Sequence, residues 1–76
     1  MEDAPTPDRE MLLSLTQTKM PFGKYKGCVL YKLPVAYLEW FSMHGFPKNK
    51  LGMQLQTLYV IKLNGLENIL QRFITT

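Results

Sequence analysis

The sequence predicts a small α+β domain, in which a two-stranded antiparallel hairpin packs against about four short helices. Apolar residues recur at helical spacing in segments that proline or glycine delimits. A stretch bracketed by Gly23 and Gly27 joins two short segments of extended or β-favouring character. The chain has 76 residues, 46% of them apolar, which suits one domain. We expect a flexible tail over residues 1–5 and a single domain over residues 6–76.

The first helix is predicted over residues 7–17. Thr6 can cap its start, and Pro7 suits the first helical position because its backbone nitrogen has no hydrogen to donate. Asp8 and Glu10 carry negative charge near the positive end of the helix dipole. The apolar stripe of this helix consists of Met11, Leu12 and Leu15.

The predicted hairpin follows this helix. Pro21 keeps residues 19–22 extended, because the residue before a proline avoids helical conformations. Residues 28–31 have β-favouring character, and the loop from Gly23 to Gly27 connects the two segments. Proline cannot donate a ladder hydrogen bond, so the first strand is expected at an edge. So small a hairpin also needs helices packed on it.

The second helix is predicted to start with Pro34 at its first position and to end before Gly45. Gly45 suits the left-handed residue that follows a helix, which would bring Phe46 against Phe41 in a Schellman end. Pro47 then prevents the helix from continuing.

Two further helices complete the prediction. One begins at Lys48 or Asn49 and continues to about Leu63. Asn64-Gly65 closes it by the same glycine mechanism, which would bring Leu66 into contact with the helix. The last helix presents one apolar face, made of Leu66, Ile69, Leu70 and Phe73.

The formal net charge is +3, but it is unevenly distributed. Residues 1–18 carry one arginine against four acidic residues, a net charge of −3. Residues 19–50 carry six lysines against Glu39 alone, a net charge of +5. A basic segment attracts polyanions, although surface lysines also keep small proteins soluble. The charge pattern leaves both interpretations open.

The residues give little support to several function classes. The acidic N-terminus lacks the apolar run of a secretory signal, and no stretch has the length of a membrane span, so we expect a cytoplasmic protein. A lone Cys28 excludes an intramolecular disulfide. Cys28 and His44 are the only thiol and imidazole, and a nucleophilic pair or metal site would need further groups. We therefore expect no enzymatic activity, metal or cofactor.

The loop from Gly23 to Gly27 is a candidate binding element. The amides of a glycine turn, together with Lys24 and Lys26, suit a phosphate group. The loop is not a Walker A motif, because only three residues separate its glycines. The favoured alternative is a hairpin turn with solvated lysines. In an extended stretch the two lysines face one way and Tyr25 the other, which lets Tyr25 pack on a helix.

Three aromatic residues of the second helix have two interpretations. Tyr37, Trp40 and Phe41 could form a platform on which single-stranded bases stack. The favoured interpretation is core, because a small domain needs its large aromatic side chains inside. That interpretation is strongest for Phe41, since Tyr37 and Trp40 carry polar atoms that require a partner.

Several motifs together resemble a known family. They are Met20-Pro-Phe-Gly-Lys-Tyr-Lys-Gly27, Leu33-Pro34, Tyr37-Leu38-x-Trp40-Phe41, Gly45-Phe46-Pro47, Leu51-Gly52 and Ile61-x-x-Asn64-Gly65-Leu66. They resemble small bacterial proteins labelled “putative quorum-sensing-regulated virulence factor”, over about Leu12 to Leu70. The label describes regulation and implies no molecular mechanism.

A shorter resemblance covers roughly residues 20–41. Phe-Gly-Lys-x-Lys-Gly, followed by proline and Tyr-Leu-x-Trp, looks like the C-terminal accessory domain of exodeoxyribonuclease X-like nucleases. The chemistry of such nucleases lies in a separate domain, so this resemblance implies an association with nucleic acid and no catalysis.

These observations predict a non-enzymatic binding module whose ligand is single-stranded nucleic acid. The alternative is a protein-interaction or regulatory module whose aromatic helix face binds another protein or a second copy of the chain. No membrane partner is expected. The candidate nucleic-acid-binding residues are Gly23, Lys24, Tyr25, Lys26, Gly27, Lys32, Tyr37 and Trp40.

Overall fold

The computed structural model describes the backbone of residues 9–74 and the side chains of residues 9–71. The tail predicted over residues 1–5, the predicted cap of the first helix and the Phe73 side chain lie outside this description. The helices are α1 (Arg9–Gln17), α2 (Val35–His44), α3 (Lys50–Leu63) and α4 (Asn68–Ile74), with a short 3-10 helix (Leu30–Lys32) before α2.

The predicted α+β fold class is wrong, because residues 9–74 contain no β-strand and hence no two-stranded hairpin. The chain does reverse direction between α1 and the 3-10 helix. The only pairing there is an isolated antiparallel bridge between Lys19 and Val29. The described fold is therefore helical.

The segments on either side explain why no hairpin forms. The 3-10 helix begins at Leu30, so only Cys28 and Val29 lie between it and Gly27, which is too few residues for a second strand. Leu30 and Leu33 are both fully buried. In a strand, residues three apart face opposite sides, whereas a 3-10 turn aligns them on one side. The 3-10 turn thus buries both leucines in one core.

The core lies where α2 packs on α3 and where α1 packs on α4. The two halves meet because α1 also contacts α3 and the 3-10 helix. The buried apolar side chains are Leu15, Met20, Leu30, Leu33, Leu38, Phe41, Leu55, Leu58, Ile61 and Leu70. The longest helix is α3 with 14 residues, and no described helix is long and apolar enough to cross a bilayer.

The two glycine-ended helices differ. At the end of α3, the Leu66 N–H donates to the Ile61 carbonyl (2.9 Å) and the Gly65 N–H to that of Lys62 (3.2 Å), which confirms the predicted end. Gly65 has a φ of +66°. At the end of α2, Gly45 has φ +106° and ψ 128°, outside the left-handed helical region, so the predicted Schellman end is wrong there.

The start of α2 and the contact between Phe41 and Phe46 are close to what the sequence predicts. Pro34 lies one residue before the first helical residue, as the N-cap. Although Gly45 does not adopt the predicted conformation, the rings of Phe41 and Phe46 still stack with their centroids 6.1 Å apart. The chain therefore leaves α2 in a different conformation from the predicted one, but the contact between the two phenylalanines still forms.

A buried polar link joins α1 to α3. The Gln54 side chain is only 4% exposed, and its Nε2 donates to Ser14 Oγ (3.0 Å) and Thr18 Oγ1 (3.3 Å). Ser14 Oγ in turn donates to the Met11 carbonyl oxygen at 2.7 Å. Buried amides need such partners, because an unpaired one costs free energy. Gln54 thereby specifies how the two helices are aligned.

Gly52 allows the start of α3 to approach the preceding turn. A Cβ atom added at Gly52 would overlap the carbonyl oxygen and carbon of Pro47. The Asn49 side chain caps the helix at the same place, accepting from the Gly52 N–H at 3.1 Å. The tight turn between α2 and α3 therefore requires glycine at position 52.

Replacing Gly52 with alanine is expected to lower the free energy of unfolding by about 1–3 kcal/mol, a typical cost of overpacking. Helix propensity alone predicts the opposite, a gain of about 1 kcal/mol. Urea unfolding followed by circular dichroism measures the difference. Gln56→Ala, at an exposed position of α3, is the control and should change stability by about 0.5 kcal/mol or less. A Gly52→Ala protein as stable as wild type would contradict the steric argument.

Candidate functional site

The glycine loop, residues 23–27, is a closed turn held by backbone hydrogen bonds. The Met20 N–H donates to the Cys28 carbonyl and the Gly27 N–H donates to the Met20 carbonyl, both at 2.8 Å. Gly23 and Gly27 have φ values of +81° and +89°. Residues with a Cβ rarely adopt such angles, so the two glycines permit the turn.

The glycine loop packs on α2 through two tyrosines. The rings of Tyr25 and Tyr37 meet edge to face, with centroids 4.6 Å apart and an interplanar angle of 61°. Gly23 lies under the same residue, because a Cβ added there would be 3.0 Å from Tyr37 Oη. Tyr25 is half-buried in this contact. The interpretation that packs Tyr25 on a helix is confirmed, although the loop is a turn rather than a strand.

The candidate lysines are all exposed. Lys24 and Lys26 flank Tyr25 in the glycine loop, and Lys24 Nζ lies 5.7 Å from the Tyr25 ring centroid. Lys32 ends the 3-10 helix, and its Nζ lies 5.8 Å from the Tyr31 ring centroid. Both distances suit a weak cation–π contact. The structure thus brings the two loop lysines beside α2, with Lys32 just before the start of that helix.

Trp40 is half exposed, at 52%, and lies one helical turn after Tyr37. Its ring meets Phe41 edge to face at 5.2 Å and stacks on His44 at 4.3 Å with an angle of 18°. The imidazole is held in place because its Nδ1 donates to the Trp40 carbonyl oxygen at 2.9 Å. Phe41 is buried as the core interpretation predicted, whereas Trp40 presents indole surface to solvent.

The surroundings of Tyr37 change the pKa of its phenol. Burial raises the pKa of Tyr37 above its ordinary value of 10.0, and the neighbouring Tyr25 raises it further by charge repulsion between phenolates. The phenol therefore stays neutral at physiological pH. It acts as a packing group between the glycine loop and α2.

Cys28 and His44 are engaged in separate local contacts. The Cys28 thiol lies 3.5 Å from the Val29 carbonyl oxygen, and His44 stacks on Trp40. Among the residues that the structure describes, no three His, Cys, Asp or Glu side chains lie together as a metal site would require.

A groove at the junction of α2 and α3 was not predicted. It has a volume of about 450 Å³ and is lined by residues 46–49 together with Gly52, Met53 and Gln56. We call it the junction groove. The one signal in the sequence is Gly52, an unusual residue within a helix, whose contact with Pro47 shapes this corner.

Comparisons with known proteins identify one family model and two similar proteins. The family model described as “Putative quorum-sensing-regulated virulence factor” matches residues 8–73. Two proteins named “Uncharacterized protein YpeB”, from Escherichia coli strains K12 and O157:H7, are each 45% identical over 65 residues. The aligned part covers 84% of this chain and 90% of each relative. No solved structure matches the chain.

The raised pKa of Tyr37 makes stability depend on alkaline pH. The folded state holds the Tyr37 proton more tightly than the unfolded state, so the free energy of unfolding should fall as pH rises above 10.0. Tyr37→Phe has no such proton to lose and should show a smaller decline. Urea unfolding of both proteins at neutral and alkaline pH measures this, and parallel declines would contradict it.

Proposed function

The chain belongs to the family described as “Putative quorum-sensing-regulated virulence factor”, and we propose that it is a non-enzymatic module that binds single-stranded nucleic acid. The observation that carries the proposal is the packing of Tyr25 on Tyr37. That contact joins the exposed lysines of the glycine loop to the helix that bears Trp40. Exposed cations and an exposed aromatic ring are the two elements that single-strand binding uses.

The proposal gives each candidate residue a distinct role. Lys24 and Lys26 contact phosphates, and Lys32 adds positive charge beside them. Trp40 stacks on a base, because its indole is half exposed. Gly23 and Gly27 shape the loop, while Tyr25 and Tyr37 attach it to α2 and are largely occupied by each other.

The charge distribution supports an anionic ligand. Between Glu10 and Glu67 the only acidic residue is Glu39, whereas this part of the chain contains seven lysines. Glu39 is exposed and adjoins Trp40 in sequence. It therefore opposes a phosphate near the indole, and its removal should favour binding.

The resemblance of residues 20–41 to the accessory domain of exodeoxyribonuclease X-like nucleases also supports this ligand. It covers the glycine loop and the part of α2 that carries Tyr37 and Trp40. The family description concerns regulation and is compatible with a binding module. No catalytic step is proposed for the chain.

A second candidate is a protein-interaction module, which the exposure of α2 favours. Met43 is 76% exposed and lies three residues after Trp40, so the two form an apolar pair on one helix face. Such a face can bind another protein or a second copy of the chain. Analytical sedimentation separates the candidates, since this one predicts a mass that rises with protein concentration and does not respond to the loop lysines.

The double variant Lys24→Ala, Lys26→Ala is expected to weaken binding to oligo(dT). Each lost phosphate contact should reduce the slope of log affinity against log salt by about 0.7, hence by about 1.4 for the pair. Fluorescence anisotropy over a range of salt concentrations measures this. Failure of the wild-type protein to bind oligo(dT) or oligo(U) at low salt would refute the proposed function.

Two single variants test the role of the indole and of its neighbouring carboxylate in the same titration. Trp40→Ala should lose the stacking contribution, about 1–3 kcal/mol per base, with no change in the salt slope. Glu39→Gln, next to it in the chain, should bind more tightly because a repelling charge is removed. If Trp40→Ala binds with wild-type affinity, the indole is not part of the proposed interface.

A further inference from the structure

We infer that the bound single strand extends beyond the glycine loop along α2 into the junction groove, where Lys48 and Lys50 contact its phosphates. This inference rests on the proposed function, because it names a second contact site for the same ligand. The junction groove lies at the far end of α2 from the glycine loop, since Tyr37 is near the start of α2 and Phe46 follows its end.

The junction groove has the size and lining of a small binding site. Its volume of about 450 Å³ falls within the range of clefts that hold small ligands. Phe46 and the 58% exposed side chain of Met53 give it apolar surface, and Lys48 and Asn49 give it polar groups. A nucleotide suits this combination, because the faces of its base are apolar, the edge of the base is polar and the phosphate is charged.

Two lysines lie at the start of α3. Lys48 lines the junction groove, and Lys50 lies two positions further along the chain, outside that lining. Their charges suit an anionic ligand and do not stabilise the helix. Lys48 and Lys50 are exposed on either side of Asn49, the residue that caps α3. Cations at the start of a helix oppose its dipole, so these lysines disfavour α3 rather than stabilise it. The first turn of α3 contains no acidic residue, and none occurs anywhere between residues 40 and 66. A phosphate from outside the chain would balance this charge.

Aromatic contacts connect the two sites along α2. Tyr37 meets Phe41 at 5.2 Å, and Phe41 stacks on Phe46, which lines the junction groove. Phe41 is buried, so these contacts fix the positions of the two sites through the core and offer the strand no surface. Tyr37 and His44 are seven positions apart in α2, a rise of about 10 Å. A stacked strand advances about 3.4 Å per nucleotide, so about three nucleotides span this stretch of α2 alone. The glycine loop lies before it and the junction groove after it, so a strand of about ten nucleotides can contact both sites, whereas one of about three can contact only one.

The experiment compares Lys48→Ala, Lys50→Ala with wild type, using labelled oligo(dT) and oligo(U) of about three and about ten nucleotides. For the longer strands we expect the double variant to lose affinity and to reduce the salt slope by about 1.4. It should also lose most of the advantage that wild type shows for the longer strand. A loss with only one strand type supports the inference and shows which of the two strands the junction groove prefers.

Lys62→Ala is the matched control, because it removes a lysine from the same helix about 18 Å beyond Lys50. It should leave the affinity for the longer strand nearly unchanged. The double variant should fold, since removing cations from the start of α3 relieves an unfavourable interaction. Its thermal unfolding temperature is therefore expected to equal or exceed that of wild type.

The possible failures are distinguishable. One outcome is that the double variant Lys24→Ala, Lys26→Ala weakens binding and the double variant Lys48→Ala, Lys50→Ala does not. The junction groove is then not a contact site for the strand, and the proposed function stands. If wild type binds no oligonucleotide at low salt, both are overturned. If wild type instead forms a dimer that Met53→Glu dissociates, with no effect on oligonucleotide affinity, the groove is a protein interface and the inference is overturned.

Discussion

The closure of the glycine loop by Met20 is the constraint on which the rest of the structure depends. The side chain of Met20 is buried, while its N–H and carbonyl pair with residues 28 and 27. One residue therefore anchors the loop to the core and joins its two ends. This closure directs Tyr25 onto α2 and starts the 3-10 turn that buries Leu30. Without this closure, Lys24 and Lys26 would have no fixed position relative to α2.

Four exposed lysines contribute little to the stability of the fold. Lys48 and Lys50 oppose the dipole of α3, and Lys24 and Lys26 are exposed on a loop whose aromatic residue already contributes the packing. The middle of the chain, residues 19–50, holds one carboxylate, Glu39, against six lysines. Local choices that cost stability without a structural gain are expected at functional surfaces. The proposed strand binding gives these lysines one common purpose.

Helix positions followed closely from local signals, whereas the β-hairpin did not form. The pair Asn64-Gly65 marked the end of α3, and the hydrogen bonds at Gly65 and Leu66 confirm the mechanism. The hairpin prediction rested on β-favouring residues around position 29, and propensity over so few residues is easily overridden by packing. Burying Leu30 and Leu33 together required a 3-10 turn. Burial of these two leucines in the core therefore outweighed the β-propensity of the segment.

The sequence by itself determined the helices, the tight glycine turn, the basic middle of the chain and the family, because each depends on neighbouring residues or on composition. Only the tertiary structure decided that Tyr25 packs on Tyr37, that Trp40 stays half exposed, and that a groove opens beside Gly52. These features arise where separate segments pack on one another, the glycine loop on α2 and the start of α3 on the turn that precedes it. The sequence of a single segment does not encode such packing.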